Sequence, residues 1–284
     1  MEVRFENVSF SYNSNTSIEK QVLKNINLTI SDGKITSIIG KSGSGKTTIA
    51  ELIDFLIVPT EGKIIVGEEE ITNKKSSLSK TKRIRKDVGL VFQFPEEQFF
   101  NLTVEDEIGF SLKYYKYKTD ELKKRVIDSL KMVGLDETYL KKNPFTLSNG
   151  EMRKVAIAST LALNPKIIIF DEPTIGMDSS SKKKFMQLLR KLKTRYNKTI
   201  ILISHDIDFI HAMSDYIYVL NNKEVFMEGK KYDVFKRQEE LESIQIKVPK
   251  MIEFSNLVRD KKGIKIGYRD NINDLIKDIY RYVK

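Results

Sequence analysis

The sequence contains no cysteine and only two histidines. A disulfide framework and a thiolate metal site are therefore excluded, and two histidines argue against a histidine-rich metal centre. No apolar run approaches the roughly 20 residues that a helix needs to cross a bilayer. Residues 1–10 also lack the continuous apolar core of a signal peptide. From these absences we expect a cytoplasmic protein without membrane spans.

The chain has 284 residues, which fits one large domain or two ordinary ones. Hydrophobic residues make up 40% and charged residues 31%, a balance typical of globular proteins and not of disordered chains. The net charge is +10, and a basic protein can bind nucleic acid or an anionic membrane surface.

Much of the excess of positive over negative charge lies in residues 74–86, a run that contains no acid. Its basic residues are Lys74, Lys75, Lys80, Lys82, Arg83, Arg85 and Lys86. Charge runs are usually solvated, so we interpret this one as a surface loop. A contact with lipid headgroups or with nucleic acid is the alternative.

Short apolar runs alternate with amphipathic stretches along the middle of the chain. The runs are Ile35–Ile39, Val88–Phe92, Ile167–Phe170 and Thr199–Ile203. Runs that are apolar on both faces are typical of buried parallel strands, so the pattern predicts an α/β fold with a mostly parallel core sheet. Two N-terminal strands, Val3–Tyr12 and Val22–Ile30, predict an antiparallel β piece, and residues 216–227 predict a hairpin. Residues 103–142 predict helices.

A glycine-rich run follows the first of these buried strands. It matches G-x-x-x-x-G-K-[ST] and opens a helix, which is the context that a phosphate-binding loop requires. Backbone N–H groups of such a loop cradle phosphates, while Lys46 reaches the terminal phosphates and Thr47 is a Mg²⁺ ligand. The predicted phosphate-binding residues are Gly40, Lys41, Ser42, Gly43, Ser44, Gly45, Lys46, Thr47 and Thr48.

A second buried strand ends in two carboxylates, Asp171 and Glu172. Unpaired buried charge is costly, so this pair has little structural reason to exist. We expect Asp171 to hold Mg²⁺. Glu172 stands one residue further out, where it can accept a proton from an attacking water.

From Val3 to about Ser243 the sequence resembles the ATP-binding cassette (ABC) ATPases. Gln93 stands where the family has its Q-loop glutamine, and His205 where it has its switch histidine. Gly176-Met177-Asp178 resembles the D-loop, and Tyr12 matches the aromatic residue that stacks on adenine. The resemblance implies that Gln93 and His205 are catalytic with Glu172, that Gln93 contacts Mg²⁺, and that ATP and Mg²⁺ are the cofactors.

Leu147-Ser148-Asn149-Gly150-Glu151 resembles the family signature LSGGQ, and Ser148 precedes Asp171 by 23 residues. The resemblance implies that Ser148, Asn149, Gly150 and Glu151 act in trans, on ATP bound by another subunit. Asn149 and Glu151 depart from the consensus, which puts that role in question. Ser148 and Glu151 also match a capping box, which by itself explains Ser148 but not Gly150.

Residues 92–98 resemble a run in ATPases from energy-coupling factor (ECF) transporters of vitamins, and from cobalt and nickel importers. Residues 150–158 resemble the second of the two paired ATPases, the A-components, of ECF transporters. The resemblance implies a sister ABC ATPase in a heterodimer, a transmembrane T-component and a substrate-binding S-component. It also implies a peripheral position on the cytoplasmic face of the cell membrane, with no nucleic-acid partner. We expect an ABC ATPase domain over residues 1–243, with a helical subdomain at about 94–164, and a C-terminal extension over residues 244–284.

Other functions stay open. An ABC protein of translation or DNA repair would suit the positive charge, but those of translation usually carry two cassettes and this chain has one phosphate-loop motif. A P-loop GTPase would need an N-K-x-D motif, and no Asn-Lys pair here is followed by that aspartate. A non-catalytic ATP sensor would be favoured if Glu172 or His205 were missing.

Several of these residues also have a purely structural interpretation. Tyr12 would pack in the antiparallel sheet, and His205 would be a core histidine. The phenylalanines of residues 94–100 would pack into the helical subdomain. The functional alternative for that loop is a groove for short helices of a membrane partner, with Glu96 and Glu97 pairing to basic residues. A C-terminal apolar stripe, Leu275, Ile276 and Ile279, is either a dimer contact or an ordinary surface helix.

Overall fold

The computed structural model describes residues 1–14, 16–74, 77–263, 267, 269 and 272–283. Its strands in chain order are β1 Val3–Tyr12, β2 Lys20–Ile30, β3 Ile35–Gly40, β4 Glu61–Val66, β5 Glu69–Ile71, β6 Val88–Val91, β7 Ile167–Asp171, β8 Thr199–Ile203, β9 Tyr216–Asn221 and β10 Glu224–Lys230.

The helices are α1 Lys46–Ile53, α2 Leu78–Asp87, α3 Val104–Tyr114, α4 Thr119–Met132, α5 Asn149–Ala162, α6 Ser179–Thr194, α7 Ile207–Met213, α8 Lys231–Phe235, α9 Gln238–Ser243, α10 Lys250–Lys262 and α11 Ile272–Val283. Short 3₁₀ turns cover Pro95–Gln98, Glu137–Tyr139 and Pro144–Thr146. None of the helices in the described ranges has the length and apolar character needed to cross a membrane.

The core sheet has the strand order β10-β9-β3-β8-β7-β6, and the predicted α/β fold with a mostly parallel sheet is confirmed. Strands β9, β3, β8, β7 and β6 pair in parallel, while β10 returns antiparallel to β9. Both turn residues of that predicted hairpin, Asn222 and Lys223, have positive φ, as a tight two-residue turn requires.

The side-chain alternation of β7 explains its unbroken apolar run. Ile168 and Phe170 join one hydrophobic cluster, with the helical region, and Ile167 and Ile169 join another on the opposite face. Successive residues of a strand point to opposite sides, so a strand covered on both faces needs apolar residues throughout.

The predicted antiparallel piece is a four-stranded sheet with the order β2-β1-β4-β5. Helix α1 contributes Ile49, Leu52 and Ile53 to the cluster that this sheet shares with one face of the core sheet. Helices α3 and α4 both pack against α5, in the region where the sequence predicts a helical subdomain. Strands β4 and β5 were not foreseen from the sequence, because their short segments are rich in charged residues.

The interpretation of residues 74–86 as a loop is wrong for most of the run, because α2 covers Leu78–Asp87. The Ser77 hydroxyl caps its first turn by accepting from the Lys80 backbone N–H, and Ile84 anchors it as a buried residue. Lys75, also part of the predicted run, lies outside the described residues.

The start of the predicted C-terminal extension packs on the core. Ile244, Ile246, Val248 and Ile252 are buried in the cluster that covers one face of the parallel sheet. In the last helix, Leu275 is buried and Ile276 is exposed. The boundary at residue 243 stays a prediction.

Candidate active site

The phosphate-loop motif connects β3 to α1 in a backbone conformation that only glycine adopts easily. Gly40 has a φ of 157°, and a Cβ there would lie 2.5 Å from the Leu220 backbone oxygen. Gly45 has a φ of 97°, and a Cβ there would lie 2.5 Å from Leu23 Cδ2. Side chains at these two positions would therefore collide with neighbouring strands and distort the loop.

The Lys46 ammonium is tied across this loop. Its Nζ donates to the backbone oxygens of Gly40 at 2.9 Å and of Lys41 at 2.8 Å. Burial lowers the pKa of Lys46, while the nearby Glu172 and Asp171 carboxylates raise it. The lysine thus supplies a positive charge, held by carbonyls that a phosphate can replace, at the mouth of the loop.

Thr47 and Asp171 come together from different elements. The Thr47 hydroxyl, in the first turn of α1, donates to Asp171 Oδ2 at 2.7 Å at the end of β7. Burial raises the pKa of Asp171, and the hydrogen bond from Thr47 opposes that rise. A hydroxyl and a carboxylate are hard oxygen ligands, so the pair fits Mg²⁺, which uses one or two protein oxygens together with substrate phosphates. Gln93 lines the same cleft.

Glu172 and His205 meet because their strands are neighbours, with Asp171 of β7 opposite Ile203 of β8. His205 Nδ1 lies 2.9 Å from Glu172 Oε2, and the His205 backbone N–H donates to that oxygen at 3.2 Å. The Glu172 backbone has a φ of 47°, in the left-handed region that residues other than glycine rarely adopt. Such strained backbone conformations are often found at functional sites. The His205 side chain is 68% exposed, so the core-histidine alternative is wrong.

Tyr12 stands at the rim of the cleft, at the end of β1. Its hydroxyl donates to Glu51 Oε2 at 3.2 Å and lies 3.5 Å from the Thr48 hydroxyl. Its ring is 39% exposed and makes an edge contact with Phe10. The ring therefore has surface left to contact a ligand while its hydroxyl is held by α1.

Most of the residues predicted to bind ATP and Mg²⁺ or to catalyse hydrolysis line one cleft of about 470 Å³. Those that line it are Tyr12, Gly40, Ser42, Gly43, Gly45, Lys46, Thr47, Thr48, Gln93, Asp171, Glu172 and His205. Lys41 and Ser44 belong to the loop but do not line the cleft. Sequence reasoning missed Lys20, Val22 and Ile175, which also line it. Lys20 pairs with Tyr12 across the β1–β2 ladder, a register that the sequence does not reveal.

The signature residues lie away from this cleft, at the exposed N-terminus of α5. Ser148 and Glu151 form the predicted capping box, in which the Ser148 hydroxyl accepts from the Glu151 N–H and Glu151 Oε2 accepts from the Ser148 N–H at 3.0 Å. The Tyr139 hydroxyl donates to Glu151 Oε1 at 2.5 Å. Hydrogen bonds from Ser148 and Tyr139 lower the pKa of Glu151 to about 2, so this residue is a carboxylate at neutral pH.

Asn149 and Gly150 follow Ser148 in the first turn of α5, and both are exposed. Asp178 is also outside the cleft and caps α6, accepting from the backbone N–H groups of Ser180 at 2.7 Å and Ser181 at 2.9 Å. Of the four signature residues that the resemblance assigns to action in trans, Ser148, Asn149 and Gly150 are thus exposed, and Glu151 is partly exposed.

In the loop after β6, Glu96 is not free to bind a partner as the sequence suggested. Glu96 Oε1 pairs with Arg153 at 3.2 Å, and both side chains are largely buried. The same arginine donates to the backbone oxygen of Ile175 at 2.6 Å. The expectation that Glu96 pairs with a membrane partner is therefore wrong, because its charge is already matched inside the protein. Glu97 is exposed.

A family model described as ABC transporter matches residues 23–175, more than half of the chain. The chain belongs to the ABC transporter family. It is therefore a nucleotide-binding ATP hydrolase of the kind that is coupled to transport. The family model covers the phosphate loop, the signature and the strand that ends in Asp171.

Close relatives narrow the assignment within this family. The energy-coupling factor transporter ATP-binding protein EcfA2 of Enterococcus faecalis is 41% identical over 255 residues, which are 90% of this chain and 88% of the relative. The protein of the same name from Streptococcus pyogenes is 38% identical over 282 residues, 99% of this chain and 100% of the relative. The chain thus belongs with the ATP-binding proteins of ECF transporters.

Solved structures agree with this ABC fold. A dimeric ATP-binding cassette in a post-hydrolysis state, bound to ADP and phosphate, superposes with a TM-score of 0.71 at 35% identity and covers 81% of this chain and 98% of its own. CbiO1 from Clostridium perfringens, part of the transporter complex CbiONQ, superposes with a TM-score of 0.74 at 30% identity. The match covers 89% of this chain and 98% of CbiO1.

Proposed function

We propose that this chain binds MgATP in the cleft between β1, the phosphate loop and the ends of β7 and β8, and hydrolyses it to drive uptake of a vitamin or metal ion. The observation that carries the proposal is the meeting of Glu172 and His205 beside the Thr47–Asp171 pair. In this assignment Tyr12 stacks on the adenine, and Lys46 with the backbone N–H groups of the loop binds the phosphates.

The reaction is attack of water on the terminal phosphate. The Glu172 carboxylate accepts the proton from that water, while His205, oriented through Nδ1, donates from its other ring nitrogen to the phosphate oxygens when it is protonated there. The Gln93 amide orients the water. Thr47, Asp171 and Gln93 would hold Mg²⁺, which supplies positive charge against the phosphate oxygens when it is bound.

The site is completed by a second ATPase subunit. The Ser148 end of α5 is exposed and carries backbone N–H groups of the first turn, which suit contact with the terminal phosphate of a nucleotide held by the partner. We assign the partner as a sister ABC ATPase, in a heterodimer. Both carboxylate oxygens of Glu151 accept hydrogen bonds within its own subunit, one from Ser148 and one from Tyr139. These hydrogen bonds partly neutralise the negative charge that Glu151 would present to the partner's nucleotide.

The membrane partner docks in a groove between the nucleotide core and the helical region. This docking groove, of about 290 Å³, is lined by Asp54, Arg85, Phe100 and Phe110, among others. The Phe100 and Phe110 rings meet edge to face at 4.7 Å, and both are exposed. Glu107 fixes the loop that carries Phe100 by accepting from the Phe100 and Asn101 backbone N–H groups.

In the docking groove we assign to Asp54 the contact with a basic residue of the membrane partner that was expected of Glu96. Burial raises the pKa of Asp54 to about 7, and the positive charge of Arg85 opposes that rise. A cation on a short helix of the T-component would stabilise the charged form of Asp54, and Glu97 at the exposed end of the loop would add a second contact. The relatives named above, ATP-binding proteins of ECF transporters and a part of the complex CbiONQ, support a membrane complex of this kind. Within it we assign the choice of the transported substrate to an S-component.

Purification of the tagged chain from its own membranes tests the whole proposal. We expect a sister ATPase and two kinds of membrane protein to co-purify, and the reconstituted complex to take up one substrate only with MgATP. Recovery of nucleic acid or ribosomal proteins in place of membrane proteins would overturn it.

A further inference from the structure

Helix α2 presents a stripe of residues that the ATPase reaction does not use. Leu78, Lys82 and Arg85 lie at positions i, i+4 and i+7, and therefore on one face of the helix, with Lys86 next to them. Leu78 is 70% exposed although it is apolar, and Lys82 and Lys86 are exposed. An exposed leucine beside cations is an arrangement typical of helices that lie on a membrane surface.

The cations of α2 fall into two groups. Arg83 pairs with Glu69 at 2.6 Å, the Lys80 ammonium donates to the Glu70 backbone oxygen, and Arg85 donates to the Phe55 backbone oxygen at 3.1 Å. Lys82 and Lys86 form no ion pair with an acid among the described residues. Each lies over a tyrosine ring instead, Lys82 over Tyr114 at 5.1 Å and Lys86 over Tyr117 at 5.3 Å.

This stripe continues directly into the docking groove. Arg85 lines the groove, and the exposed Tyr114 lies one turn along α3 from Phe110, which also lines it. A membrane subunit seated in the groove would therefore bring the stripe close to the bilayer. Lysines next to tyrosines suit the polar headgroup layer of a membrane, because aromatic rings and basic side chains are both stabilised there.

We propose that Lys82, Lys86 and Leu78 bind the anionic lipid surface around the membrane partner. The proposal rests on the proposed function, because docking in the groove is what turns α2 toward the bilayer. The lysines pair with lipid phosphates, and Leu78 inserts among the acyl chains near the headgroups. The contact adds to protein docking and is weakened by salt, because exposed charges are screened.

The test measures binding of the purified full-length chain to vesicles of phosphatidylcholine alone or mixed with phosphatidylglycerol. We expect binding only to the anionic vesicles. One basic residue near such a surface contributes about a fivefold gain in binding, so Lys82→Ala with Lys86→Ala should weaken binding about 25-fold. The charge-matched control changes two exposed lysines of α6, Lys183→Ala with Lys184→Ala, and should lose far less.

Three outcomes would overturn the proposal. They are an equal loss in the α6 control, no preference for anionic vesicles, or tighter binding of an RNA or DNA oligonucleotide that the α2 variant loses. Leu78→Ser tests the part of the contact that does not depend on charge. At high salt, where the charge contact is screened, this variant should bind vesicles more weakly than the wild type. Groove docking has a separate readout: Glu97→Lys should release the co-purified membrane subunit while vesicle binding stays intact, and a membrane subunit retained by Glu97→Lys would count against docking in the groove.

Discussion

His205 Nδ1 and Glu172 Oε2 lie 2.9 Å apart at the ends of two adjacent parallel strands. The histidine backbone N–H donates to the same carboxylate oxygen, so two groups of one residue fix the orientation of the acid. Asp171 of β7 lies opposite Ile203 of β8, so the register of two buried strands brings the segments that carry Glu172 and His205 side by side. A base held in this way can accept a proton without first reorganising.

Replacement of Glu172 tests the assignment of the base. Glu172→Gln keeps the size of the side chain but removes its basicity, so we expect MgATP binding to persist while hydrolysis falls roughly 10²–10⁴-fold. The measurement is single-turnover hydrolysis in the complete complex, with ATP affinity by calorimetry. Glu253→Gln, at an exposed position of α10, is the matched control. A wild-type rate in Glu172→Gln would remove this residue from the mechanism.

Tyr12 allows stacking to be separated from its hydrogen bond. Tyr12→Ala should weaken ATP binding by roughly 1–3 kcal/mol, the scale found for bases stacked on aromatic side chains. Tyr12→Phe loses the hydroxyl contacts to Glu51 and Thr48 but keeps the ring, and should stay near the wild-type affinity. Unchanged affinity in Tyr12→Ala would leave the residue a structural part of the sheet.

The C-terminal helices call for two different truncations. A chain that ends before Val248 loses the buried Val248 and Ile252, so it should unfold at a lower temperature. A chain that ends at Gly263 loses only α11 among the helices, and should pair less tightly with the sister ATPase while keeping its ATP affinity. Sedimentation of the mixed subunits measures pairing. Equal pairing by this shorter chain would show that the exposed Ile276 face has no part in the dimer.

The sequence predicts the parts of the site that are contiguous. The phosphate loop and the strand ending in Asp171 and Glu172 each form within one segment, where neighbouring residues determine the conformation. Contacts between distant segments were not predictable: Lys20 reaches Tyr12 through strand register, and Glu96 reaches Arg153 across 57 residues. Helix α2 was also missed, because its single buried residue, Ile84, gives no apolar periodicity.

The buried Glu96–Arg153 pair gives a prediction on stability. Removing one partner leaves the other charge buried and unmatched, so Glu96→Gln should lower the free energy of unfolding by about 3–5 kcal/mol at most. The same change at the exposed Glu97 should have little effect. Thermal unfolding of the two variants measures the difference. Arg153 also holds the Ile175 backbone at the cleft, so Glu96→Gln should slow hydrolysis as well. Equal melting temperatures would mean that the pair does not act as a structural link.

We expect Asp54 to make docking of the membrane subunit dependent on pH. Its pKa is about 7 in the free chain, so the carboxyl is mostly neutral below that pH and charged above it. A partner cation binds the charged form, so more membrane subunit should be retained one unit above this pKa than one unit below. The bound cation itself lowers the pKa, which moves the midpoint in the complex to lower pH.

Asp54→Asn should abolish this pH dependence and hold retention at the low-pH level, because the amide is never charged. Asp128→Asn, at an exposed position of α4, is the control and should behave as the wild type. ATP affinity is measured at each pH, since the phosphate loop begins the helix that Asp54 ends. Retention that changes with pH to the same extent in Asp54→Asn and in the wild type would place the cation contact elsewhere in the groove, with Glu97 as the next residue to replace.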